Sequence, residues 1–168
     1  MGRDSKILFG IIALTLLLVF AGVFILGRNT AEVAGTVSTE PLNIESNPSF
    51  YDLGDVPING GLVTKEYEVE NTSGKSITLK KITTSCMCTT ASVEIGDKKT
   101  KFFGMEGHGD ANPPVNIEIG KDKTAKVVVR FDPAAHGPEG VGPFDRVVWL
   151  NFAEGVKELT FSGTVTSQ

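Results

Sequence analysis

Two apolar patterns divide this chain. Across residues 7–27 Thr15 is the only clearly polar side chain. A helix of about 20 such residues, rising roughly 1.5 Å each, crosses the ~30 Å hydrocarbon layer of a bilayer. After Phe50 the apolar residues recur at every second position, in short segments broken by Gly, Asn, Asp and Pro, the mark of half-buried strands. Between them, residues 29–48 are rich in Thr, Ser, Glu and Asn and keep neither period. They are expected to form a flexible linker with a typical reach of about 25 Å. The expected organisation is a cytoplasmic N-terminus and transmembrane signal-anchor helix at 1–28, the linker at 29–48, and a β-domain at 49–168.

Within the β-domain, Val63, Tyr67 and Val69 share one face of a strand, with Lys65 as its polar exception, and Thr64, Glu66, Glu68 and Glu70 take the other. That strand stops at Asn71-Thr-Ser-Gly74, a glycosylation sequon read instead as a turn with Asn71 in the left-handed region. Ile77 and Leu79 resume an inward face, but the next apolar residue is Ile82. This change of parity across Lys80 and Lys81 predicts a bulge. Val115, Ile117 and Ile119 alternate before Gly120-Lys-Asp122, and Ala125, Val127, Val129 and Phe131 alternate after it, which predicts a hairpin. Residues 146–152 are more continuously apolar, as in a central strand, and Leu159, Phe161 and Val165 close the chain. With 51–56 and 91–95 the count is seven to eight strands and no amphipathic helix. An antiparallel β-sandwich of the immunoglobulin-like class buries such faces against each other.

Charge fixes the expected orientation. Three of the 16 Lys/Arg (Arg3, Lys6, Arg28) and one of the 20 acids (Asp4) lie within residues 1–28, leaving 13 bases against 19 acids beyond. The basic flank before the span keeps the N-terminal end in the cytoplasm and puts the β-domain on the periplasmic or extracellular side. A cleaved signal peptide is the alternative, but its apolar core is usually about 7 to 15 residues and ends at a small-x-small site. Here the run is longer, and Glu32 spoils the match at Thr30-Ala-Glu-Val-Ala34. The interspersed charges of the domain exclude a nucleic-acid-binding face. The expected partners are the membrane and a protein of the cell envelope.

Tyr51-Asp-Leu-Gly-Asp-Val56, Gly60-Gly-Leu-Val63, Glu70-Asn-Thr72, Thr84-Ser-Cys-Met-Cys-Thr89 and Arg130-Phe-Asp-Pro133 follow one another in an order that resembles a bacterial family of exported domains of unknown function with an SCxCT box. That family is similar to the immunoglobulin-like domains of the MSP, ASH and Hydin type. The resemblance covers about residues 50–165 and implies a fold and an exported location, not a reaction. Met87 stands where the family usually has glycine, and residues 96–114 exceed its short connection.

Chemistry concentrates on two residues. Cys86 and Cys88 are the only cysteines. On an extended strand they would lie roughly 6 to 7 Å apart, so a disulfide requires the chain to bend. Three roles fit Cys-x-Cys: a structural bridge or buried thiols, thiol-disulfide exchange, and chelation of a soft ion such as copper as Cu(I). Supporting metal ligands are few: Met87 within the box, Met105 and His108 in a long loop, and His136 in another. There is no G-x-S-x-G elbow, no HExxH and no phosphate-cradling loop. The chain is therefore expected to be a non-catalytic binding or structural module, with soft-metal binding or delivery and membrane-tethered thiol redox chemistry as alternatives.

Overall fold

The structure is a computed structural model that describes residues 14–17, 42–107 and 112–167. The chain divides into two units, Met1–Ser38 and Thr39–Gln168. In the first, residues 14–17 are helical with Leu14, Leu16 and Leu17 exposed; the rest of the expected membrane span lies outside the described residues. Among the described residues no helix is long and apolar enough to cross a membrane.

Among the described residues of the second unit ten strands follow in order: β1 (Ile44–Asn47), β2 (Phe50–Pro57), β3 (Val63–Asn71), β4 (Ile77–Thr84), β5 (Thr89–Ile95), β6 (Lys98–Lys99), β7 (Ile117–Ile119), β8 (Thr124–Phe131), β9 (Gly142–Phe152) and β10 (Val156–Thr166). They form two five-stranded sheets, ordered β1-β3-β8-β5-β6 and β2-β10-β9-β4-β7. All pairs are antiparallel except β2 with β10, which is parallel. Two packed sheets make an immunoglobulin-like sandwich. The count exceeds the expected seven to eight because β1 and the two-residue β6 are too short to show a period. Ile44 draws β1 out of the stretch expected to be linker: it is buried, and the strand pairs with β3 from Ile44 opposite Asn71 to Asn47 opposite Glu68.

The inner faces carry the alternating residues: Tyr67 and Val69 on β3, Val127, Val129 and Phe131 on β8, Val148 and Leu150 on β9, Leu159 and Phe161 on β10. Tyr67 spans the two layers, its hydroxyl donating to the Thr160 carbonyl at 2.8 Å. Burial, reinforced by Tyr51, pushes its phenol well above the ordinary range. Lys65, the polar exception on β3, is half-buried with its ammonium 5.1 Å from the centre of the Tyr51 ring. The bulge is where the parity change puts it: Leu79 faces Phe152 and Lys81 faces Asn151, with the shift between. Ile82 is thereby returned to the core.

The expected hairpin is not one. β7 pairs with β4 in one sheet, while β8 pairs with β3 and β5 in the other, so the Gly120-Lys-Asp turn crosses between sheets. A period of two records which face is buried and is silent about which sheet accepts it. The β3–β4 connection crosses too, and buried Asn71 ties the crossings together. Its amide donates to the carbonyls of Lys75, Ile119 and Gly120, and its oxygen accepts from the Ser73 N–H and hydroxyl. The left-handed residue of the β3–β4 turn is Gly74 (φ 76°), not Asn71.

Candidate functional site

The sequence from Thr84 to Thr89 carries the chain from the second sheet to the first. Ser85 continues the β4 edge, its N–H donating to the Val147 carbonyl and its hydroxyl accepting from the Val147 N–H, each at 3.0 Å. The Thr89 N–H then donates to the Cys86 carbonyl at 3.1 Å, closing a turn over residues 86–89. The buried Thr84 hydroxyl lies 3.0 Å from the carbonyls of both Cys86 and Thr89. The Asp132 N–H fixes the Cys88 carbonyl at 2.8 Å. This turn is the bend that a bridge requires: the two Cα atoms are 5.2 Å apart, and Cys86 and Cys88 are joined as a disulfide.

Beside the Thr89 hydroxyl, 3.6 Å from the Cys88 sulfur within the turn, two side chains from outside it reach the sulfurs among the described residues. Asp132 organises the first: its carboxylate accepts the Ala134 N–H, and its carbonyl the Ala135 N–H. Gly137 takes φ +60°, opening a short 3₁₀ turn at Gly137–Gly140. His136, just before that turn, is exposed, and its Nε2 lies 3.1 Å from the Cys86 sulfur. The second is Arg146, at an inward position of β9 between Phe144 and Val148. Its Nε donates to the Cys88 sulfur at 3.2 Å, its Nη1 donates to the Asp145 carbonyl, and its guanidinium stands 5.5 Å from the Phe144 ring centre. Burial pushes the guanidinium below its ordinary value, with Asp145 opposing; arginine remains cationic regardless.

Of the sequence candidates, the structure gathers three. The ligand atoms of Cys86, Cys88 and His136 all lie within 4.8 Å of one another. Met87 is exposed at the tip of the turn. Met105 is half-buried on the segment whose Phe103 bridges Ala91 and whose Glu106 pairs with Lys81. His108 lies outside the described residues. Arg146 escaped the sequence reading, although a cation at an inward position between Phe144 and Val148 was its available sign. His136 and Arg146 also line an open cleft of about 440 Å³ with Val141 and Phe144.

A bridge across one intervening residue constrains the unfolded chain little, far less than the ~3 kcal/mol of a 15-residue loop. The variant carrying Cys86→Ser and Cys88→Ser is accordingly expected to keep the fold and lose at most about 2 kcal/mol, read from denaturant midpoints.

A model of a family described as "Protein of unknown function (DUF1573)" matches residues 44–101. This segment holds β1 to β6 and the cysteine turn but neither His136 nor Arg146. No curated protein matches the chain in sequence. Among solved structures, the chain is similar to a protein of unknown function from Porphyromonas gingivalis, at 14% identity and a TM-score of 0.52 over 72% of this chain and 46% of that one. The likeness is one of fold, and the chain spans less than half of that relative's length. The seventh PapD-like (ASH) domain of human CEP192 aligns at 13% identity and a TM-score of 0.45, over 76% of this chain and 87% of that one. An MSP family member from C. elegans aligns at 10% identity and a TM-score of 0.34, over 73% and 97%.

Proposed function

We propose that this chain is a membrane-tethered, extracytoplasmic binding module of the cell envelope, without catalytic turnover, whose reduced Cys86, Cys88 and His136 hold one soft metal ion, Cu(I) by preference. The observation that carries this reading is the convergence of two sulfurs and one imidazole nitrogen within 4.8 Å. Ligands each about 2.0 to 2.3 Å from a common ion lie no more than about 4.6 Å apart, so small side-chain adjustments suffice. Thiolates select soft ions, and imidazole can complete the site. Three ligands suit Cu(I), whereas a structural Zn²⁺ site wants four. Two thiolates, a neutral imidazole and Cu(I) carry a net negative charge, and Arg146 beside Cys88 offsets it.

The tether rests on the apolar run at 7–27 and its basic flank. Sixteen residues separate Gly27 from Ile44, a reach of at most roughly 58 Å even when fully extended. Leu62, Met87 and Val141 are exposed on the connections β2–β3, β4–β5 and β8–β9. Those connections leave one end of the sandwich, a suitable contact for an envelope protein that gives or takes the ion.

The disulfide makes binding conditional on reduction, because bridged sulfurs are not thiolates. Titrating the full chain in detergent with Cu(I) against a competing chelator is expected to give about one ion per reduced chain and none per oxidised chain. Equal uptake by the two forms would remove the cysteines from the site.

A further inference from the structure

The surroundings of the bridge differ on its two sides. Both cysteines are buried, Cys86 the less completely, at 9% residue exposure against 3% for Cys88. The Cys86 sulfur accepts the Cys88 N–H at 3.2 Å and faces His136 Nε2 at 3.1 Å, whereas Cys88 accepts from a permanent cation, the Arg146 Nε–H at 3.2 Å, with the Thr89 hydroxyl at 3.6 Å. Arg146 is also a wall of the open cleft, together with Val141 and Phe144. In thiol-disulfide exchange the attacking thiolate bonds to one sulfur and expels the other, and the better stabilised thiolate leaves faster. A guanidinium N–H is a charge-assisted donor to an anionic sulfur, stronger than its bond to the neutral bridge.

From this asymmetry we infer that the disulfide is the acceptor for a partner dithiol that attacks Cys86, with Cys88 as the leaving thiolate held by Arg146. The first partner thiol loses its proton to solvent, and its sulfur bonds to Cys86 Sγ. The Cys86–Cys88 bond breaks, and its electron pair goes to Cys88 Sγ. The partner's second thiol, also deprotonated by solvent, attacks the partner sulfur in the mixed disulfide. A disulfide forms in the partner, and the electron pair returns to Cys86 Sγ, which takes one proton from solvent. The partner loses two electrons and the chain gains them; each chain consumes one dithiol, so the step is an opening of the site rather than turnover. The inference goes beyond the metal reading and needs no ion, since it concerns which sulfur is attacked.

Glutathione, a single thiol, cannot resolve the mixed disulfide with a sulfur of its own, so an early alkylating quench traps that adduct before a second glutathione or Cys88 attacks it. The oxidised full chain in detergent, exposed to glutathione and quenched with N-ethylmaleimide, is digested and the modified cysteines are located by tandem mass spectrometry. The expected product carries glutathione on Cys86 and maleimide on Cys88, in roughly tenfold excess over the reverse. That is the selectivity expected from one charge-assisted hydrogen bond to the leaving sulfur. An even split, the reverse assignment, or no adduct under conditions that modify the unfolded chain would overturn the inference. With dithiothreitol as the reductant, Arg146→Gln is expected to slow opening roughly tenfold, and Arg146→Lys to restore most of the rate. Equal rates for the native chain and Arg146→Gln would also overturn it. The regiochemical result uses the native chain and so does not depend on how well either variant folds.

Discussion

Asn71→Ala is expected to cost about 3 to 4 kcal/mol of folding stability, in the upper range for a single substitution. The carboxamide is buried and meets five partners: three carbonyls share its two amide hydrogens, and the Ser73 N–H and hydroxyl donate to its oxygen. Its backbone adds two more to the second crossing, accepting from the Asp122 N–H and donating to the Lys123 carbonyl. Alanine keeps the backbone pair but strands the Ile119 carbonyl away from water and releases the β3–β4 turn from the β7–β8 crossing. Each unsatisfied buried polar group costs roughly 1 to 3 kcal/mol, and a domain of this size has only about 5 to 15 to lose. Equilibrium urea unfolding measures it. Ser73→Ala, which removes one bond to the same oxygen, is the internal comparison and is expected to cost about 1 kcal/mol.

The second large effect concerns the metal. Cys86→Ser with Cys88→Ser is expected to abolish Cu(I) binding by the reduced chain, because hydroxyls stay protonated and hard where thiolates are anionic and soft. His136→Ala, which leaves the sulfurs in place, is expected to weaken binding by roughly tenfold to a hundredfold, or about 1.4 to 2.7 kcal/mol. The gradation is what a three-ligand centre with two dominant sulfurs requires. A chelator competition that tracks Cu(I) transfer reads both. His136→Ala binding as tightly as the native chain would reduce the centre to the two cysteines.

Periodicity carried most of the fold. The inward residues of β3, β4, β8, β9 and β10 were legible because sandwich strands show one face to the core, and the bulge between Leu79 and Lys81 was legible because an added residue flips parity. Pairing partners were not: residues 115–131 alternate identically whether Gly120 turns a hairpin or a crossing between sheets. Nor was β1, whose four residues offer no period. At the site, the chemistry of Cys86, Cys88 and His136 was visible as residue types, but their convergence depends on a loop set by Asp132 and Gly137, which sequence spacing does not encode. His136 lies 50 positions after Cys86 in the chain. Arg146 was hidden for a different reason: its charge reads as solvated until the inward parity of β9 and the position of the cysteine turn are known together.

The most direct test of the three-residue centre is the X-ray absorption spectrum of the reduced, Cu(I)-loaded full chain at the copper edge. The expected first shell is two sulfurs and one nitrogen, with the nitrogen lost in His136→Ala. A shell without sulfur, or one unchanged by Cys86→Ser with Cys88→Ser, would contradict the assignment of the ion to Cys86, Cys88 and His136.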